Sequence, residues 1–373
     1  MSIRRLARNI ILENDYPLIT HVTVIGKLIP NNSQDYMKLV RLAWSFRKAV
    51  EQMAREIVNG ASMKDATKKL YNALPNYVYL ESAYKHAKLI VEGSRFNNGN
   101  PRHIHVRKFF IVSRGNKYDY GNRNIRLVPS EKYFEVQVKY PWDGSWIKAR
   151  TFFGRRYIPL LNELMELCRR RLEGYGARIV FKDGRMELHL SIPLYLYLKY
   201  FSYPKCKGYE LVAGLDLNSD RINMVVIDGD KRIVAMRAAW FPEVTLPGFP
   251  RNKARDIRLK KLKELLVFAR RIGVDYVVFE NLFAVKKSSR VSSPSGNRKI
   301  TRFAKRQLLQ HGLLMAMKQG LTPILVDPRG TTHSHEHEEV MNRRGLDRHM
   351  ASAYIIACKG LKIIKTHEKY HKT

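Results

Sequence analysis

The sequence predicts an α/β C-terminal domain, preceded by a β-barrel or sheet domain that carries an inserted helical lobe. Three observations lead there. A block with the spacing of amphipathic helices sits between strand-like segments near the start. Alternating strand patterns then dominate residues 104–192. From Cys206 onward, three strands in succession give way to helices and strands in alternation. At 373 residues the chain is long enough for two cores, and the expected domains are 1–33 with 100–205, then 34–99, then 206–373.

Taken in order, the first strand is "HVTVIGKLI" (21–29), ended by "PNNS". Ser33 is the expected N-cap of a long helix running to Asn59-Gly60. Its apolar face is Leu39, Leu42, Ala43, Phe46, Val50, Met53, Ala54 and Ile57. Shorter helices are expected at 63–73 and 82–92, capped by Ser62 and Ser82, with "GSRFNNGNPR" as the closing loop. Strands follow at 104–112, 124–128 and 133–140, then a helix at 157–173. "ARIVFKDGRMELHLSI" reads as a hairpin turned at Asp183-Gly184.

The second half begins with the strands "YELVAGLDL", "RINMVVIDG" and "KRIVAMRAAW". The helix "RDIRLKKLKELLVFARRIG", the strand "VDYVVFENL" and the helix "KRQLLQHGLLMAMKQG" come next. The strand "LTPILVD" and the helix "DRHMASAYIIACKGLKIIK" complete the set. That is the element order of the ribonuclease H-like fold.

Charge narrows the partner class. Lys and Arg total 68 against 33 acids, a formal charge of +35. A field of that sign draws polyanions, and release of counterions from phosphates drives binding. Nucleic acid is the leading partner and an anionic membrane surface the runner-up. No apolar run approaches the ~20 residues of a membrane span. The first residues, "MSIRRLARNIILENDYP", lack the apolar core and cleavage site of a signal peptide. Cys168, Cys206 and Cys358 are scattered, which excludes a disulfide framework or a cysteine zinc ribbon and fits a reducing compartment.

Three acids carry the chemistry. Asp216 lies in the first apolar strand of the second half, Glu280 closes "YVVFENL", and Asp347 opens the last helix. Each has a bland reading: a solvated strand end, a local Arg pair and an N-cap, respectively. In the ribonuclease H-like order, however, the three positions converge at one edge of the sheet. Clustered carboxylates repel one another and are best neutralised by Mg²⁺, a hard ion that takes oxygen ligands, with Mn²⁺ as a substitute. Two such ions about 4 Å apart activate a water and stabilise the leaving oxygen of a phosphodiester.

"GLDLNSDRINMVVIDGDKRIV", "VDYVVFENL" and "GLDRHMASAYIIA" resemble the RuvC-type nuclease domain of the TnpB (OrfB-type) proteins of insertion sequences, relatives of the type V CRISPR effectors. The motifs cover residues 208–364, and the first half fits by layout the family's wedge-like β-barrel domain interrupted by a helical recognition lobe. The resemblance implies an RNA-guided, Mg²⁺-dependent DNA endonuclease with a guide RNA and a target DNA as partners, acting in a prokaryotic cytoplasm at the nucleoid. Asp216, Glu280 and Asp347 match its three catalytic acids. Alternatives from other classes are a guide-loaded protein that binds DNA without cutting and a guide-free, structure-selective nuclease.

The chain departs from that family in two places. Asn218 replaces the glycine of the usual "DLG", and a left-handed turn is expected to survive there. Relatives carry a four-cysteine zinc ribbon before the last acid, whereas residues 328–346 form a shortened, cysteine-free connector. No zinc is expected, and His333, His335 and His337 are read as connector residues. His349 is read as a surface imidazole. The segment 284–304 is a basic loop, and Lys286, Lys287, Arg290, Arg298, Lys299 and, just before it leaves the loop, Arg302 are candidates for binding nucleic-acid phosphates. Arg255, Arg258, Lys260, Lys261 and Lys263 either hold RNA or solubilise their helix.

Overall fold

Residues 21–30 alternate apolar and polar, and they form the spine of the first of two units. A computed structural model describes residues 11–12, 20–96, 99–205, 208, 210–282, 302–331 and 334–371. One unit is His21–Tyr197, and the other joins Met1–Thr20 to Leu198–Thr373. The strand β1 (Ile11–Leu12) belongs to the second unit.

In the first unit β2 (His21–Pro30) is followed by α1 (Ser33–Val58), α2 (Met63–Leu70) and α3 (Tyr77–Phe96). The N-cap of α1 is Asn32, not Ser33: its side chain accepts the Asp35 amide at 2.8 Å. Ser62 caps α2 as expected. Ser82 lies inside α3, where its hydroxyl donates back to the Val78 carbonyl at 2.8 Å. Ser favours both arrangements, so its identity alone does not locate a helix start. The predicted apolar face of α1 is buried from Leu39 to Ala54.

The strands β3 (Phe110–Ser113), β4 (Gly115–Asn116), β5 (Gly121–Asn122), β6 (Ile125–Pro129), β7 (Phe134–Lys139) and β8 (Trp146–Phe152) follow. Next come α4 (Ile158–Arg169), β9 (Gly176–Lys182) and β10 (Arg185–Pro193). Seven of these strands make one sheet in the order β3-β9-β10-β2-β8-β7-β6, antiparallel throughout. Among the described residues no ladder joins β3 to β6, so both are edges, and of the barrel or sheet that the alternation allows, the open sheet is the one formed. The β9–β10 hairpin turns at Asp183 (φ 48) and Gly184 (φ 72), the left-handed pair that an Asp-Gly turn requires. The helix α5 (Leu194–Phe201) carries the chain into the second unit.

There, β11 (Leu211–Leu217), β12 (Arg221–Ile227) and β13 (Ile233–Trp240) form an antiparallel meander. The remaining elements are α6 (Arg251–Arg271), β14 (Val274–Glu280), α7 (Arg302–Lys318), β15 (Thr322–Val326), α8 (His335–Arg344) and α9 (Arg348–His371). The strand order is β1-β15-β14-β11-β12-β13, with β11, β14 and β15 parallel. Counted from β11, the five strands other than β1 thus lie in the order 5-4-1-2-3 with the second reversed, which is the ribonuclease H-like arrangement. Residues 1–33 were expected with the first unit, but Ile11 and Leu12 pair in parallel with Ile324 and Leu325 at the edge of this sheet. Local pattern identifies a short strand without saying which sheet it will join.

Both faces of the parallel core are covered, as its apolar strands require. One face packs Leu211, Ala213, Leu215 and Leu217 against Leu262, Leu265 and Leu266 of α6 and Leu309 and Leu313 of α7. The other packs Val212, Val225 and Val278 against Ala353, Ile356 and Ala357 of α9. Contact there is close: a Cβ on Gly214 would lie 2.1 Å from the Ala353 carbonyl oxygen, and one on Gly360 would lie 2.2 Å from Val278 Cγ2. Small residues at 353, 357 and 360 follow helical spacing, so α9 lies along β11 and β14 on a stripe without bulk.

Candidate functional site

The site residues follow from that stripe. His349 sits one helical turn before Ala353 on the strand-facing side of α9, and Asp216 lies two residues beyond Gly214, so the same packing brings both together. Asp216 is 7% exposed. Its Oδ2 accepts from Asn218 Nδ2 at 2.6 Å and lies 3.1 Å from His349 Nδ1. The same Nδ1 lies 3.1 Å from Asn218 Nδ2, so with hydrogen on Nδ1 the ring donates to the carboxylate, and with hydrogen on Nε2 it accepts from Asn218 instead. Burying a carboxylate is costly unless it is served by such donors. His349 is therefore a partner of the first acid and not a surface imidazole.

Asn218 also differs from expectation. It is not among the positive-φ residues; its amide N–H donates to the Arg221 carbonyl at 3.0 Å to close the β11–β12 turn, and its side chain reaches back to Asp216. Arg258 of α6 fastens this turn by donating from Nε and Nη2 to the Ser219 carbonyl at 3.3 and 3.2 Å. Burial pushes the Arg258 guanidinium below its ordinary range. One of the basic candidates on α6 thus has a structural anchor role.

Glu280 ends β14, one position past Phe279, which pairs with Leu215 of β11. Parallel register therefore sets Glu280 beside Asp216 at the carboxyl ends of neighbouring strands. The Thr331 hydroxyl, buried to 1% exposure, lies in hydrogen-bond contact with Glu280 and with the Pro328 carbonyl. Asp347 is exposed and is the N-cap of α9: Oδ1 accepts the amides of His349 at 2.8 Å and Met350 at 3.0 Å. Asp347 and Asp216 are hence linked through one residue, by the backbone and the ring of His349. Among the described residues, no three His, Cys, Asp or Glu side chains form a ready-made metal cluster.

A second buried polar residue faces the first acid. Asn223 of β12 is directly opposite Asp216 in the antiparallel ladder, is 2% exposed, and its Oδ1 has no hydrogen-bond partner. Sequence reasoning missed it, although an Asn within "RINMVVI" is a visible break in an apolar strand.

The connector contains a helix. Alternate histidines share a side only in extended chain, and α8 is helical from His335 to Arg344. His335 is exposed, whereas His337 is buried and its Nε2 lies 2.9 Å from the Arg348 carbonyl and 3.2 Å from Ser352 Oγ. This imidazole ties α8 to the start of α9 and so helps position Asp347. His333 lies outside the described residues, as do Lys286, Lys287, Arg290, Arg298 and Lys299; only the backbone of Arg302, the first residue of α7, is described. Lys260, Lys261 and Lys263 line an open cleft of roughly 630 Å³ with Arg237, Trp240 and Arg271. No helix among the described residues is long and apolar enough to cross a membrane.

Strand order and a polar strand-end site thus define the second unit as ribonuclease H-like. A family model described as the SSO2105 N-terminal domain matches residues 21–202. Protein SSO2105 of Saccharolobus solfataricus is 49% identical over 346 residues, 92% of this chain and 93% of that one. The chain belongs to the SSO2105 family. A protein of Aeropyrum pernix is 27% identical over 348 residues, covering 87% of this chain and 92% of its own. Among solved structures, Thermus thermophilus RuvC in complex with a Holliday junction substrate matches 42% of this chain and 96% of its own at 15% identity, with a TM-score of 0.31. A Cas12i–crRNA–dsDNA complex matches 78% of this chain and 56% of that one at 11% identity, with a TM-score of 0.31.

Proposed function

We propose that the protein is a divalent-metal-dependent DNA endonuclease directed by a guide RNA, as in the TnpB family whose motifs it resembles. The observation that carries the metal-dependent nuclease part of this reading is the placement of Asp216 and Glu280 at the ends of adjacent parallel strands, under the helix that Asp347 opens, while guidance by RNA comes from the motif resemblance. The donors are hard oxygens, and the unpartnered Oδ1 of Asn223 lies on the same ladder, so the residues suit Mg²⁺ or Mn²⁺. Asp216 and Glu280 would hold the cation, with Asp347 at its side; bound there, such an ion supplies an activated water and stabilises the leaving oxygen of a phosphodiester. His349 and Asn218 orient the Asp216 carboxylate, and Thr331 orients Glu280. The net charge of +35 and the basic cleft beside Trp240 favour phosphate backbones as the bound partner. Residues 284–304 would add to that track.

A guide-loaded protein that binds DNA without cutting is the second reading, favoured by Asp347, whose Oδ1 is committed to capping α9. The test is purification with nucleic acid retained, sequencing of the bound RNA, and incubation with matching duplex and Mg²⁺. Cleavage that needs both RNA and Mg²⁺ supports the first reading. A defined RNA with uncut matched DNA moves the assignment to the second, and an absence of bound RNA removes guidance altogether.

A further inference from the structure

We infer that Asn223 is an additional oxygen ligand for the cation held at Asp216, an inference that rests on the metal-dependent reading above. In the β11–β12 ladder Asp216 pairs with Asn223. Directly opposed residues of antiparallel strands project from the same face, with Cβ atoms about 5 Å apart. That face is the one covered by α9, because Val225 and Ile227, at the same parity of β12, pack in the cluster with Ala353 and Ile356. Asn223 is therefore aimed into the space where Asp216 meets His349.

What makes this more than proximity is the state of its amide. Asn223 is 2% exposed and its Oδ1 has no hydrogen-bond donor. Buried polar atoms are nearly always paired, and each exception calls for a reason. A carbonyl oxygen next to a carboxylate is electrostatically unfavourable unless something positive lies between them. Asn218 and His349 already serve the Oδ2 atom of Asp216. A hard divalent cation accepts amide carbonyl oxygens along with carboxylates, so one ion would satisfy both atoms. The competing account is a flipped amide whose Nδ2 donates to Asp216, a purely structural role.

The two accounts part in metal titrations of the full chain with its nucleic acid retained. Mn²⁺ is titrated by electron paramagnetic resonance, and the relevant sites are those that Asp216→Ala removes. Asn223→Leu should weaken that class about 10–100-fold without lowering the melting temperature in EDTA, since the unpaired amide is gone. Asn223→Asp should keep the class or tighten it, because it retains an oxygen and adds charge. If Asn223→Leu titrates like the wild type while Asp216→Ala loses the class, the inference is wrong and the metal-dependent reading stands. Loss of the class in both Asn223→Asp and Asn223→Leu would indicate a structural amide and overturn the inference. Identical titrations of the wild type and Asp216→Ala would remove the metal site and the inference together.

Discussion

Two asparagines, one in each unit, are buried to a similar degree and treated in opposite ways. Asn122 of the first unit is fully buried, and its Oδ1 accepts from Ser113 Oγ and from the amides of Asn124 and Ile125 at 2.8, 3.1 and 2.9 Å. Its Nδ2 donates to the carbonyls of Ser113, Arg114 and Tyr175. It joins β3, β5 and the start of β9 into one piece. Asn223 of the second unit has no partner for its Oδ1. A satisfied buried amide builds a fold, whereas an unsatisfied one beside a carboxylate is where a ligand would gain most. Within this pair, the first unit's amide holds strands together, and the second unit's lies beside a strand-end carboxylate.

That contrast can be broken or sharpened by substitution. The largest expected effect is on chemistry: Asp216→Ala should reduce single-turnover cleavage about 10³-fold or more, equivalent to roughly 4 kcal/mol of barrier. Cleavage by this variant at the wild-type rate would show that the site lies elsewhere. Asn122→Ala strands several buried donors and acceptors and should cost about 3 kcal/mol of stability. It would be seen as a lowered melting transition with Mn²⁺ affinity unchanged; a change in affinity would blur the distinction between the two asparagines. Gly214→Val should cost a similar or slightly smaller amount, about 2–3 kcal/mol, because its Cβ would push α9 away from β11. Unlike Asn122→Ala it should also weaken Mn²⁺ binding, since the same displacement separates His349 from Asp216.

The smallest effect concerns pH. Burial alone would push the Asp220 carboxyl up, but the hydrogen bond and charge of Arg221 hold it below the usual range. A depressed folded value stabilises the fold above the ordinary carboxylate titration near pH ~4, and that contribution is lost as pH falls through the folded value. Asp220→Asn should therefore cost about 0.5 kcal/mol near neutrality and progressively less toward acid. Melting curves of the two proteins across this range should converge on acidification, and parallel curves would remove Asp220 from the account.

Much of the fold was legible because it is written in local periodicity and turn chemistry. Asp183-Gly184 named its own hairpin, the apolar face of α1 was read residue by residue, and the strand and helix order of the second half was visible before its sheet was known. What was missed has non-local causes. The short helix α8 carries two arginines, three glutamates and two histidines with little apolar patterning, and it is held by Ser334 at its start, Gly345 at its end and His337 beneath it. Ser82 and Ser33 each fitted a cap, yet Asn32 and the chain before Tyr77 placed the helix starts elsewhere.

By itself the sequence determined the net charge of +35, the alternation that makes each strand, and the three acids at element ends. Those depend on residue type and on neighbours a few positions away. Only the tertiary structure decided which atoms surround those acids. His349 meets Asp216 because Gly214, Ala353, Ala357 and Gly360 let a helix lie against two strands, and Asn223 faces Asp216 because of the β11–β12 register. Close packing and strand register join positions far apart in the chain, and no local pattern encodes them.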